Sequence, residues 1–209
     1  MHRRTVLLLT FCLAASGCGH KAWMESQVDP NYQPSRGDAL FVTLPRQPSI
    51  QERQLLPILT TQLCADGFNL VPSIEQSKWT LGFSFARQTY EFGSTFSAST
   101  IPGSGVVIGS SRPNIVTDST VRLYLFRSAD FAGSAKPLSI WEGYISATNQ
   151  VYQAYRPIIF KNLLDVYGQN VERTTRLRKE DLGTSPMLRA DSSGFKGRPC
   201  GMGTPEPGR

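Results

Sequence analysis

The sequence predicts an α+β domain: an antiparallel sheet of about five to six strands with two helices packed on one face. Three observations predict it. Two stretches, from Ile50 and over residues 152–167, carry apolar residues at helical spacing. Several others, led by Trp79-Thr80-Leu81-Gly82-Phe83-Ser84-Phe85, alternate apolar and polar residues as half-buried strands do. The order β-α-β-β, insertion, β-β-α puts consecutive strands beside each other through loops, which favours antiparallel pairing. A chain of 209 residues holds one such domain plus appendages.

The N-terminus reads as an address. His2, Arg3 and Arg4 precede a short apolar run centred on Val6-Leu7-Leu8-Leu9, and Ala15-Ser16-Gly17 stands before Cys18. A charged start, an apolar run of about 7–15 residues and a small-residue cleavage site make a secretory signal over 1–17. The run is shorter than the roughly 20 residues of a membrane-spanning helix. The Ala-Ser-Gly-Cys ending resembles the bacterial lipobox. That implies a diacylglycerol on the thiol of Cys18, whose two acyl chains make a stable bilayer anchor. Gly19 in place of Asp points to the outer membrane, with the domain facing the periplasm. Ordinary secretory cleavage near Gly17 is the other reading, and it leaves a soluble periplasmic protein.

Residues 18–37, with Pro30, Pro34 and Gly37, read as lipid anchor and tether. The domain spans 38–170. Ala39–Leu44 is a strand, ended by Pro45. Ser49 with Glu52 fits a capping box, and Leu55, Leu56, Leu59 and Leu63 continue the helix, with a kink expected at Pro57. Asp66-Gly67 closes it. A short strand at Phe68–Val71 follows, then Trp79–Phe85 continuing through Tyr90 and Phe92. Residues 93–119 read as a Gly/Ser/Thr-rich insertion. Thr120–Phe126 and Leu138–Ala147 are strands with a loop at Asp130–Pro137 between them. Ile159, Leu163, Val166 and Tyr167 stripe the last helix, which Gly168 ends. Beyond Val171 the apolar pattern stops, so 171–209 reads as a flexible basic tail.

Charge narrows the function classes. The chain carries +6, and loss of Arg3 and Arg4 leaves +4. From Val171 onward eight basic residues face five acidic ones, so most of the excess lies in the tail. A nearly neutral exported domain is a poor nucleic-acid binder. The two histidines, His2 and His20, lie outside the body, which argues against a Ser/His/Asp hydrolase or a His-ligated metal site. Gly103, Gly105 and Gly109 lack dinucleotide or P-loop spacing, so no nucleotide and no cofactor is expected. Cys64 and Cys200 either bridge, tying tail to domain, or remain a buried thiol and an unpaired terminal one.

The leader, the first strand, the Leu63-Cys64-Ala65-Asp66-Gly67-Phe68 turn and the aromatic alternation of Trp79–Phe85 resemble a bacterial lipoprotein family. So do the Gly/Ser/Tyr-rich stretch and the strand pair Thr120–Arg127 with Ile140-Trp141-Glu142-Gly143. The family is the one grouped as domain of unknown function 4136, and the likeness covers about 38–168. Pro45-Arg46-Gln47 departs from its aromatic patch after the first strand. The resemblance implies an envelope location and no established activity.

The expected function is therefore a non-catalytic binding or assembly accessory in the cell envelope, anchored in the outer membrane and meeting an envelope protein partner. Val106, Val107 and Ile108, too apolar for a solvated tip, are the candidate contact residues together with Tyr90 and Phe92. Phe96, Tyr124, Phe126 and Tyr144 extend a candidate aromatic face. The readings from other classes are a carbohydrate-active enzyme using carboxylates such as Glu142, and a soluble periplasmic ligand-binding protein.

Overall fold

The computed structural model describes residues 20–100, 107–134 and 136–182. The elements in order are β1 (His20–Val28), β2 (Ala39–Thr43), α1 (Ile50–Ala65), β3 (Asn69–Leu70), a 3-10 turn at Ile74–Gln76, β4 (Trp79–Thr100), β5 (Val107–Arg127), α2 (Ser128–Gly133), β6 (Trp141–Thr148), α3 (Asn149–Asp165), β7 (Val171–Leu177) and α4 (Lys179–Leu182). Seven strands form one sheet in the order β3-β2-β4-β5-β6-β1-β7. The α+β class stands, but the sheet is larger than expected and mixed. β2 runs parallel to β3 and to β4, while the other pairs are antiparallel. The reason is α1: a helix between two strands returns the chain to the end where it started, which makes the next strand parallel.

The capping box forms as the sequence predicts. Ser49 Oγ accepts from Glu52 N–H at 3.1 Å, and the Glu52 carboxylate accepts from Ser49 N–H at 2.8 Å. Gly67, at φ +77°, ends α1 in the left-handed conformation that glycine adopts freely. The expected kink at Pro57 is not where a helix breaks. The break lies in α3, where Tyr155 (φ −123°, ψ 20°) precedes Pro157 by two residues. A prolyl ring disfavours helical geometry just before it and removes an N–H from the ladder.

Leu55, Leu59 and Leu63 of α1 and Ile159, Phe160 and Leu163 of α3 bury themselves against one sheet face. That face presents Leu81 and Phe83 of β4, Leu123 and Leu125 of β5, Ile145 of β6 and Met24 of β1. Fully burying each such side chain contributes about 1.5–3 kcal/mol. Gly143 is fixed by packing: a Cβ there would meet the Trp141 ring at 2.7 Å.

Three segments differ from the sequence reading. The tether contains β1, which lies between β6 and β7. Its Ala22, Met24 and Ser26 point to the core. The basic tail begins with β7 and α4, pinned by Leu177, which is fully buried. The loop at Asp130–Pro137 starts inside α2. The leader 1–17, Cys18, Val106, Cys200 and residues 183–209 lie outside the described residues.

Candidate functional site

The segment read as an insertion is the far half of a long hairpin. β4 and β5 pair from Trp79↔Arg127 to Thr100↔Val107. Their neighbours stop much earlier. β2 accompanies β4 only as far as Thr43↔Gly82, and β6 accompanies β5 only as far as Asp118↔Thr148. Residues 89–100 and 107–117 therefore leave the sheet as a two-stranded arm, roughly 40 Å long at about 3.3 Å per residue. Period-2 pairing rather than an apolar core shapes it. Thr89 and Thr117 hydroxyls bond across the strands at 3.0 Å, and Ser97 and Ser110 do so at 2.9 Å.

A register shift between Glu91 and Ser94, with Gly93 at φ +65°, puts a bulge in the arm. Phe92 sits in that bulge and is 72% exposed. Phe96 is 69% and Ile115 64% exposed. Tyr90 donates its hydroxyl to the Asp118 carboxylate at 2.8 Å, a bond that raises the tyrosine pKa. Tyr90, paired with Val116, lies on the opposite ribbon face from Ile115 and Phe96, which share a face across the bulge. Phe92 sits in the bulge between them, so the exposed apolar groups are spread along the arm rather than gathered into one cluster. Val107 and Ile108 open β5 opposite Thr100 and Ser99. Ile115 was hidden in a stretch whose serines and glycine read as loop. Its alternation with Pro113 and Thr117 becomes visible only once the register is known.

The other aromatic candidates form a separate surface. Tyr124 and Phe126 stack at 6.3 Å on the sheet face away from α1 and α3, and Phe131 of α2 covers Phe126 at 5.3 Å. Tyr144 donates to Glu25 at 2.7 Å under the Arg122 guanidinium. All three are half-buried.

The arm leaves the sheet at the end where the described chain begins. Across the strands, Trp23 of β1 pairs with Ser146, Ser146 with Thr120, and Thr120 with Ala86. His20 and Leu177 also pair at this end. Glu142, the candidate carboxylate, is exposed on β6 and accepts from Ser139 Oγ. It lines an open depression of about 360 Å³ with Asp29. Cys64 is disulfide-bonded; the other cysteines, Cys12, Cys18 and Cys200, lie outside the described residues. Among the described residues no helix is long and apolar enough to cross a membrane.

No family model matches the chain, and no curated protein matches it. Among solved structures, a PDZ domain protein from Parabacteroides distasonis is similar at 9% identity with a TM-score of 0.34. The match covers 74% of this chain and 39% of that one. A likeness this low carries no argument about fold or function, and the arm stands on its own geometry.

Proposed function

We propose that this protein is a lipid-anchored, non-catalytic docking module of the bacterial envelope. Its hairpin arm captures a protein partner at the periplasmic surface of the outer membrane. The observation that carries the reading is the arm itself. A two-stranded ribbon alone is marginally stable in water, and its outer edges offer unpaired N–H and C=O groups to a further strand. Phe92, Phe96 and Ile115 supply exposed apolar anchors beside those edges. The disulfide at Cys64 supports export to an oxidising compartment. The lipobox-like Ala15-Ser16-Gly17-Cys18 and the resemblance to envelope lipoproteins support the anchor.

The experiment places a photo-crosslinking residue at Phe96 in living cells, with Lys136 as the control position. The expected result is one discrete adduct in the membrane fraction from position 96 and none from 136. Deleting 94–113 removes matched lengths of both strands and leaves Gly93-Asn114 as a turn. It should abolish the adduct, tested from position 92, and keep the melting temperature within a few degrees. Equal labelling from 96 and 136, or unfolding on deletion, overturns the docking role. Cys18→Ala should move the protein to the soluble fraction; unchanged fractionation overturns the anchor.

A further inference from the structure

A second feature near the root of the arm belongs neither to the core nor to the docking surface. α1, α3 and β4 enclose a cleft of about 60 Å³ lined by Gln51, Phe85, Arg87, Tyr152, Gln153 and Arg156, among others. One water needs roughly 10–15 Å³ on that measure, so the cleft takes a small polyatomic group. Its lining is rich in hydrogen-bond donors. Tyr152 is 2% exposed, yet its hydroxyl has no hydrogen-bond partner among the described residues, and neither has the buried Nε of Arg156. Phe85 and Tyr152 lie ring to ring at 5.1 Å. The Arg87 guanidinium rests 5.5 Å over Phe85, and that of Arg156 5.7 Å over Tyr152. No carboxylate within salt-bridge distance pairs with either arginine among the described residues. Gln51 takes the fork between the terminal nitrogens of Arg87, its amide oxygen accepting from both at 2.8 and 3.0 Å once the amide is oriented to satisfy both groups, which leaves the Nε edge of that guanidinium for a further acceptor.

We propose that this cleft is an oxyanion site, taking a carboxylate or phosphate group between Arg87, Arg156 and the Tyr152 hydroxyl. The donor set decides the chemistry. Guanidinium groups donate and cannot accept, and they bind carboxylate and phosphate oxygens through two parallel bonds. Burial pushes the Tyr152 hydroxyl up to about 12, despite the opposite pull of Arg156 and Arg87, so it stays protonated and able to donate at neutral pH. A cation is repelled by both arginines. A water would satisfy the hydroxyl and Nε while leaving the half-buried Arg156 charge unpaired; Arg87 is exposed at the mouth of the cleft. The nearest acid on α1, Glu52, is already committed to Ser49 and to Phe85 N–H. The phosphate could come from a solute or from a lipid headgroup, since Arg87 lies two residues before Thr89, where the arm leaves the sheet.

The site is independent of the arm's docking role, and its test uses the full chain carrying Cys18→Ala. Melting temperature is followed against inorganic phosphate and acetate, with chloride at matched ionic strength as reference. A ligand that binds only the folded state raises it in a saturable way. Arg87→Gln and Arg156→Gln should each raise Kd about tenfold, which is about 1.4 kcal/mol. Tyr152→Phe, which keeps the ring and the fold, should raise it severalfold. Unliganded melting temperatures and circular dichroism identify any variant that is merely unfolded. Cosedimentation with phosphatidylglycerol vesicles, competed by phosphate, assigns the headgroup; a phosphate-induced shift without vesicle binding assigns a soluble anion. Either supports the site. The proposal is overturned if neither phosphate nor acetate exceeds chloride, or if Tyr152→Phe and the arginine variants respond as the wild type does.

Discussion

Glu52→Gln should destabilise the protein by about 2–3 kcal/mol at neutral pH. Glu52 is only 7% exposed and joins two elements. Its Oε2 accepts from Ser49 N–H and Ser49 Oγ at 2.8 and 2.9 Å, and its Oε1 accepts from Phe85 N–H at 3.0 Å. β2 stops pairing with β4 at Gly82, so Glu52 takes up a β4 amide just beyond the reach of that strand. A glutamine keeps the length but offers one carbonyl oxygen. Its NH₂ then faces either the Ser49 donors or the Phe85 amide. One buried donor left unsatisfied costs about 1–3 kcal/mol, and weakening the cap adds up to about 1. In a chain of this size that lowers the melting temperature by about 5–10 °C. Urea titration followed by circular dichroism at several pH values supplies the assay. Burial by itself would raise the Glu52 pKa, but the donors from Ser49 and Phe85 outweigh it and hold it below the ordinary 4.5. A carboxyl with a depressed folded pKa contributes stability that is present above pH 4.5 and lost as pH falls through the folded value. Glutamine does not titrate, so the gap between wild type and variant should narrow in acid. A gap under about 0.5 kcal/mol at pH 7, the scale of an ordinary surface change, refutes the reasoning. So does a gap of equal size at pH 7 and pH 3.

Asp66 should behave with the opposite sign. Burial raises its carboxyl above the ordinary 3.8, more than the Gln62 amide and nearby Lys161 and Arg36 lower it. Its contribution is therefore fully present below pH 3.8 and lost as pH rises through the folded value. Asp66→Asn should raise the melting temperature by a few degrees at pH 7 and not at pH 3, and an equal gain at both pH values would sink this account. If Cys64 pairs with Cys200, the bridge closes a loop of more than 100 residues, worth about 4–5 kcal/mol in the chain-entropy model. Cys200→Ser should then make Cys64 reactive to a maleimide in unfolded, non-reduced protein, whereas continued protection assigns the bond to another cysteine.

The readable parts of this sequence are those whose signal is local. Ser49 and Glu52 stand three residues apart and announce α1; Leu81, Phe83 and Phe85 alternate within one strand. What escaped depends on distant pairing. β1 alternates, but its inward set of Ala22, Met24 and Ser26 has none of the branched and aromatic residues that mark a buried strand face, and its one aromatic ring of Trp, Phe or Tyr type, Trp23, points outward. β7 is an edge strand in which only Leu177 is fully buried, so it reads as polar tail until β1 is placed beside it. The same holds for the cleft. Arg87 looks like a solvated charge and Tyr152 like core, and only the packing of α3 against β4 puts both beside Arg156.

The placement of β1 constrains how a lipid anchor and the arm can act together. Only Gly19 separates Cys18 from His20, so a lipidated Cys18 would lie within about 7 Å of the start of β1. From β1 to β5 and β4 is two and three strand spacings of about 4.8 Å. The acyl chains would then emerge within roughly 20 Å of the arm's root, so with such an anchor the arm would begin at the membrane. At about 40 Å it exceeds the roughly 30 Å hydrocarbon core. Alone, however, it cannot enter that core. Both outer edges are unpaired, and each unsatisfied backbone group in hydrocarbon costs several kcal/mol. Past the bulge, Thr95, Arg112, Ser97 and Ser110 share one face, while Ser94 and Ser111 interrupt Phe96 and Pro113 on the other. With such an anchor, a single ribbon with those faces would lie at the interface, where Phe92 and Phe96 would meet apolar groups and the edges would stay wet. Only strands added on both sides would remove the edge penalty, so on the docking proposal a partner that completed the ribbon would also decide whether it stays on the membrane.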